Sequence, residues 1–394
     1  MPDSSTVPRS ELDIFTDEFM ADPYPAFRDL RDVGGVVHLD ALDLWAVPRY
    51  AEARHILASW EQFCSADVAL NEQCNAYVGD GILRADPPLH DQLRNVLASR
   101  LAPRALRKLE ADINARARAL VEPLVSRGSF EAISELVRRF PLEIVADLIG
   151  LPLAGREELL GLLDANFNFF GPDNARLRES APKLGELMEY MMSTATRQSL
   201  AEGSMGRAVY EAADAGQIPE ESAPTLVLTY VTAGIDTTVH ALGHAIWLLA
   251  EHPEQWDLLR QDRSLIPQAF REVLRFESPM QVFGRTVRTD WVVDGVTVPA
   301  GDRLAVLFGA ANRDERNWKD PDRFDIRRDN VEHLAFGYGL HVCAGQALAR
   351  MEGAAILTAL LDSVSRLEAG EPARHFNNVL RGLESLPVQV VASA

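Results

Sequence analysis

Between Pro224 and His252 the chain reads PTLVLTYVTAGIDTTVHALGHAIWLLAEH, apolar along most of its length, free of Lys and Arg, and followed at once by Pro253. Proline fits the first turn of a helix and cannot continue one, so the stretch predicts a single helix between the two prolines. At ~1.5 Å per residue it extends about 40 Å, the width of a sizeable domain. A helix of that length and character has to cross the interior, and the rest of the chain must pack around it. Its midpoint breaks the pattern: Ala233-Gly234 and then Asp236-Thr237-Thr238 stand among apolar neighbours. Glycine weakens a helix interior, and a buried carboxylate is costly unless satisfied. Two readings follow: a functional site in mid-helix, or a plain kink in which threonine hydroxyls bond back to the preceding turn.

From Asp86 to about Gly203 the pattern is helix after helix, punctuated by Pro and Gly. Strand-like alternation is confined to VVHLDALDLWAVPRY near Val36, to TDWVVDGVTVPAGDRLAVLF over Thr289–Phe308 and to LESLPVQVVA near the end. No internal repeat, low-complexity tract or linker interrupts this. The pattern predicts a mainly α, α+β fold: one domain over residues 1–394, β-rich in about 1–85 and 285–310 and helical in about 86–284 and 340–365.

A net charge of −19 argues against nucleic acid, which requires clustered Lys and Arg. No signal peptide and no membrane-spanning stretch is visible, so the expected location is cytoplasmic and no membrane partner is expected. Three cysteines, Cys64, Cys74 and Cys343, make no disulfide framework, and without a CxxC pair structural zinc is disfavoured.

Cys343 sits in FGYGLHVCAG, Phe336–Gly345, hemmed in by three glycines. Glycines let backbone approach a flat cofactor and free amide N–H groups to point at the sulfur, which tunes a metal-bound thiolate. A lone buried cysteine is more often packing. Here the setting is specific. The ten residues resemble FGxGxHxCxG, the haem-binding loop of the cytochromes P-450, and other motifs follow in that family's order. AGIDTT, Ala233–Thr238, is similar to its I-helix stretch. Glu272-x-x-Arg275 in FREVLRFESP is similar to its buried Glu-Arg pair, with Arg323 in DPDRFDI as third member of a structural triad. ANRDERNWKDPDRFD resembles the bacterial stretch leading to the cysteine loop. The resemblance runs from DPYPAFRDLR to LESLPVQV.

It implies a monooxygenase carrying haem b, with Cys343 as axial iron ligand and O2 as co-substrate. Ala233 and Phe336 would lie against the cofactor, and His90, Arg94, Arg285 and His341 would meet its propionates. Asp236 and Thr237 would form the catalytic acid–alcohol pair that delivers protons, with Gly234 letting the helix bulge. Taken singly, each of these cations reads equally as a surface charge, and the Glu-Arg pair as a solvated helix face. No flavin or iron–sulfur motif is present, so electrons from NAD(P)H would arrive through a ferredoxin reductase and an iron–sulfur ferredoxin. From His90 to Lys108, Arg94, Arg100, Arg104, Arg107 and Lys108 face a single acid, Asp91, a basic patch suited to an acidic partner.

NFNFFGPDNARLRESAP, RFESPMQVFGRT and HFNNVLRGLESLPVQV resemble the bacterial subfamily that oxidises para-substituted benzoates, including 4-methoxybenzoate O-demethylation. That likeness places Phe167, Phe170, Met280 and Phe283 in a small aromatic pocket, although such clusters are usually core. Where the subfamily holds a carboxylate with Arg and Ser, this chain has Tyr77 and Asp80, and Leu228 and Thr229 stand on the long helix. Residues 65–83 contain no cation but carry Asp67, Glu72 and Asp80, so an anion there would go unpaired. The expected substrate is a small neutral aromatic, O-demethylated or hydroxylated, with Tyr77, Asp80 or Thr229 bonding its polar end. Alternatives are a terpenoid or polyketide intermediate, or a benzoate-type acid after all.

Overall fold

The structure, a computed structural model, describes residues 7–77, 81–98 and 100–393, the side chain of Tyr77 excepted. The long apolar stretch forms one helix, Ser222–Glu251, with Pro224 in its first turn. It ends where His252 leaves helical geometry and Pro253 opens the next helix, Pro253–Gln261. Helices Arg139–Ile149, Met205–Asp214, Ile266–Phe276 and Gln346–Ser363 pack against it, and the largest apolar core forms around it. The bulge expected at Gly234 is absent: the helix continues, while the Thr237 and Thr238 hydroxyls donate to the Ala233 and Gly234 carbonyls at 2.8 and 3.3 Å. The glycine serves packing instead. A Cβ at 234 would lie 3.2 Å from Val145 Cγ1, tighter than ordinary contact, so its absence lets helix Arg139–Ile149 approach.

Thirteen short strands make four small sheets among the described residues: β1 (Arg9–Ser10), β2 (Val37–Leu39), β3 (Leu44–Val47), β4 (Phe63–Cys64), β5 (Ser129–Glu131), β6 (Val282–Val287), β7 (Trp291–Val293), β8 (Val296–Val298), β9 (Arg303–Leu307), β10 (Val364–Ala369), β11 (Ala373–Phe376), β12 (Arg381–Ser385) and β13 (Pro387–Ala392). The largest runs β1-β2-β3-β9-β6-β4 and joins the N-terminal strands to the 282–307 region. β2 and β3, in the strand-like stretch near Val36, pair antiparallel, and β3 pairs parallel with β9, Trp45 opposite Leu304. The β7–β8 turn is Asp294-Gly295, both at positive φ (50° and 79°), the geometry that suits a right-twisted two-residue hairpin. β10, β13 and β5 form a second sheet, while the β11–β12 hairpin brings β12 against the central helix. The architecture is the expected mainly α fold with small sheets. No helix among the described residues is long and apolar enough to cross a membrane.

One expected contact is corrected. Glu272 and Arg275 are fully buried and doubly bonded, both N···O distances 2.8 Å. The third member is Arg328, whose Nε lies 3.1 Å from Glu272 Oε1. Arg323 is 68% exposed, with Asp325 as a loose partner at 4.0 Å. Residue 323 contributes only its carbonyl, which accepts from Arg328 Nη2 at 3.0 Å.

Candidate active site

The cysteine loop is bent by glycine where nothing else fits. Gly337 and Gly339 have φ of 69° and 68°, and a Cβ on Gly339 would lie 2.3 Å from the Leu57 carbonyl oxygen. The loop closes through Cys343 N–H donating to the Phe336 carbonyl at 2.8 Å, and helix Gln346–Ser363 follows at once. The Cys343 thiol opens into a cavity of about 260 Å³ between this loop and the middle of the central helix. Burial pushes its pKa up, opposed by the Gly345 and Gln346 N–H groups and by Arg94 and Arg350 nearby. That is an enclosed sulfur with donors and cations around it, prepared to carry charge once a metal is bound.

Four cation-forming side chains border the same cavity beside the loop: His90, Arg94, Arg285 and His341. The His90 and His341 rings meet edge-on with centroids 4.7 Å apart, and Arg94 donates to the Val342 carbonyl. Arg285 is buried and donates to the neighbouring Gly284 carbonyl; burial holds its pKa down to about 10. His341 is driven down to about 3, first by burial and then by Arg285, His90 and Arg94. Its Nε2 and that of His90 have no partner. Among the described residues, no carboxylate lies within ion-pair distance of Arg94, Arg285 or His341. His90 has Asp91 at 3.0 Å on Nδ1, but its Nε2 and the other three donors face the cavity region without an anion, so the residues present fit a flat cofactor carrying two carboxylates.

Across the cavity, Ala233, Gly234 and Thr237 of the central helix form one wall, with Thr229 one turn earlier. Asp236 is not on that wall. Neighbouring helix residues point about 100° apart, and its carboxyl is buried on the far side, Oδ2 unpartnered. Burial and Asp164 push its pKa up to about 7, while His375 and Arg138 oppose them.

Phe167, Met280 and Phe283 line the cavity, and Phe170 stands behind, its ring 5.8 Å from that of Phe283. The Thr229 hydroxyl donates to the Thr225 carbonyl at 2.8 Å, leaving its oxygen free to accept. The Tyr77 side chain and all of Asp80 lie outside the described residues. The two described loop acids do not line the cavity: Asp67 accepts from the Thr286 hydroxyl at 2.8 Å, and Glu72 is exposed. Phe336 borders the cavity with Arg350 over its ring.

Two groups escaped the sequence reading. The Tyr230 hydroxyl borders the cavity without a partner, and Glu352 is fully buried there, both carboxyl oxygens unpartnered and its pKa pushed well up by burial. A lone acid in the apolar run ARMEGAAILTALL was the available signal for the second.

The chain is similar to known proteins over nearly its whole length. The family model described as Cytochrome P450 matches residues 191–379. Cytochrome p450 CYP199A2 of Rhodopseudomonas palustris is 40% identical over 390 residues, covering 98% of this chain and 95% of that protein. The beta-dihydromenaquinone-9 omega-hydroxylase of Mycobacterium tuberculosis is 30% identical, covering 97% of this chain and 78% of that protein. Among solved structures, CalO2 superposes with a TM-score of 0.86 at 29% identity, covering 97% and 99% of the two chains.

Proposed function

This chain belongs to the cytochrome P450 family of haem b monooxygenases, and we propose that it oxidises a small uncharged aromatic by O-demethylation or hydroxylation, with electrons from a ferredoxin system. When bound, haem with a thiolate ligand supplies O2 cleavage and C–H oxidation. The chain's own residues supply the rest. Cys343 would hold the iron, Arg94 and Arg285 would neutralise the two propionates, and His90 and His341 would donate hydrogen bonds to them. Thr237 presents a hydroxyl into the cavity, and Asp236 behind it holds a proton near neutral pH, the acid–alcohol arrangement that proton delivery needs.

The observation that carries the substrate assignment is the cavity itself. That cavity spans the haem site and the substrate space together, so the assignment rests on its lining rather than on its volume. Its four cation-forming residues cluster at the cysteine loop, while Phe167, Met280 and Phe283 line it elsewhere. Arg84, just after residues 65–83, donates to the Ala66 carbonyl at 2.6 Å and does not line the cavity. A substrate carboxylate at the aromatic wall would meet no cation among the described lining residues, and desolvating it there is costly.

The test is a spectroscopic titration of the ferric holoenzyme, following the low-spin to high-spin Soret change. Guaiacol and 4-methoxyphenol are expected to shift it, and 4-methoxybenzoate to bind far more weakly. Tight binding of the benzoate overturns the uncharged assignment. No shift by any of the three points to the second reading, a bulkier natural product, which similarity to the beta-dihydromenaquinone-9 omega-hydroxylase favours. Arg104, Arg107 and Lys108 are exposed and have no ion-pair partner among the described residues, which supports docking of an acidic ferredoxin there. R104E/R107E is expected to slow reduction by the ferredoxin several-fold at low salt, and an unchanged rate overturns it.

A further inference from the structure

Asp236 is absent from the cavity lining, and the central helix that carries it packs against helix Arg156–Asn168 and against β12 of the β11–β12 hairpin. A distinct cluster lies there. The His375 imidazole, on β11, is clamped between two carboxylates: Nε2 is 2.7 Å from Asp164 Oδ1 and Nδ1 is 3.1 Å from Glu384 Oε2. Arg138 pairs with the other side of the cluster at Glu384, 3.1 Å away. Asn377 and Asn168 hold Asp164 further through their side-chain amides. His240, one turn after Asp236, stacks on His375 with centroids 5.1 Å apart and planes 23° apart. Both His240 nitrogens are unpartnered. The slot for its ring exists because residue 382, opposite His375 in the hairpin, is glycine: a Cβ there would lie 1.8 Å from His240 Nδ1.

The cluster grades from inside to outside. Asp236 is buried, His375 is 14% exposed, Asp164 33% and Glu384 52%. Asp164, His375, Arg138 and Glu384 are the charged groups that act on Asp236 from the elements packed against it, with His240 the titratable neighbour on its own helix. Asp164 is the strongest of them.

We propose that Asp164 is the solvent-side entry for the protons that Asp236 delivers, and that the His375 cation is the positioning residue that holds Asp164 in place. One proton moves in each passage. The Asp164 carboxylate takes it from a solvent hydronium ion, which becomes water, and the new Asp164 O–H bond breaks as one forms on the Asp236 carboxylate that has already passed its own proton on. His375 stays protonated throughout, because the two carboxylates that clamp it raise its pKa to about 10 despite burial. Its charge also offsets the repulsion that two adjacent acids exert on one another. No other residue of the cluster changes its bonding.

The inference rests on the acid–alcohol reading of Asp236 and Thr237, and the test separates the two. In the holoenzyme with a turning-over substrate, D164N is expected to lower kcat about tenfold, a modest share of what acid–base groups supply. KM and the substrate spin shift should stay unchanged, and the solvent isotope effect on kcat should rise as proton entry becomes limiting. H375Q keeps a hydrogen-bond donor without the charge. There the infrared carboxyl band assigned to Asp236, identified by its loss in D236N, should persist to a pH higher by about one unit. If D236N is slow while D164N and H375Q match the wild type in rate, isotope effect and band midpoint, protons enter elsewhere and this proposal is overturned. If D236N itself turns over normally, the acid–alcohol reading falls with it.

Discussion

Replacing Arg328 and Arg323 separately by alanine discriminates between the packing seen here and the triad expected from the motif alone. Arg328 Nε donates to the fully buried Glu272, and its Nη atoms donate to the carbonyls of Lys319, Asp320 and Arg323. Its side chain is only 12% exposed. R328A leaves Glu272 its Arg275 partner but removes one charge-assisted bond and uncovers three carbonyls, about 2–4 kcal/mol. R323A removes a 68% exposed side chain whose ion pair spans 4.0 Å, a change of about 0.5 kcal/mol or less. For 394 residues the unfolding entropy near Tm is about 0.8 kcal/mol per kelvin. The expected losses are therefore about 3–5 °C for R328A and under about 1 °C for R323A. Far-UV circular dichroism melts of the holoenzymes at one scan rate provide the assay. Equal losses, or the larger loss in R323A, would refute the reasoning.

Thr237→Ala should retain haem and the substrate spin shift yet divert most reductant into peroxide; normal coupling of reductant to product would remove Thr237 from the relay. Asp236 keeps its proton in the folded state up to about 7, against 3.8 when exposed. The folded protein therefore loses stability as pH rises from about 4 to about 7. Asp236→Asn should gain about 2–4 kcal/mol over wild type at pH 8 and almost nothing near pH 4, read from paired melts; a gain independent of pH would contradict this. Gly382→Ala should cost about 1–3 kcal/mol by displacing the His240 ring. His240→Ala in that background should recover part of the loss, whereas simple additivity of the two costs would count against the contact.

What could be read from the sequence was local. The central helix was legible to within two residues at its start because its apolar run and flanking prolines act along the chain. The Asp294-Gly295 hairpin was legible for the same reason. The cysteine loop combined several unusual residue types in ten positions, so its resemblance to a haem-binding loop was explicit. The partner of Glu272 was not: Arg323 and Arg328 lie five residues apart on an irregular segment, and only the path of that segment decides which one turns inward. The order of the largest sheet joins β3 to β9 across more than half the chain, a pairing no local pattern encodes. The cluster beyond Asp236 draws Asp164, His375 and Glu384 from distant segments, each an ordinary surface residue when met alone. One part was available and not used. Asp236 and Thr237 are adjacent in a helix, so both cannot face the same cavity, and a second polar environment behind Asp236 was implied.

The account turns on Cys343 as the axial ligand around which the propionate donors and the proton relay are arranged. The most direct measurement is the carbon monoxide difference spectrum of the reduced protein, wild type against Cys343→His. The wild type should give the long-wavelength Soret band that a thiolate ligand produces, and the variant should bind haem with the shorter-wavelength band of imidazole ligation. A thiolate-type band that survives in Cys343→His would contradict the assignment.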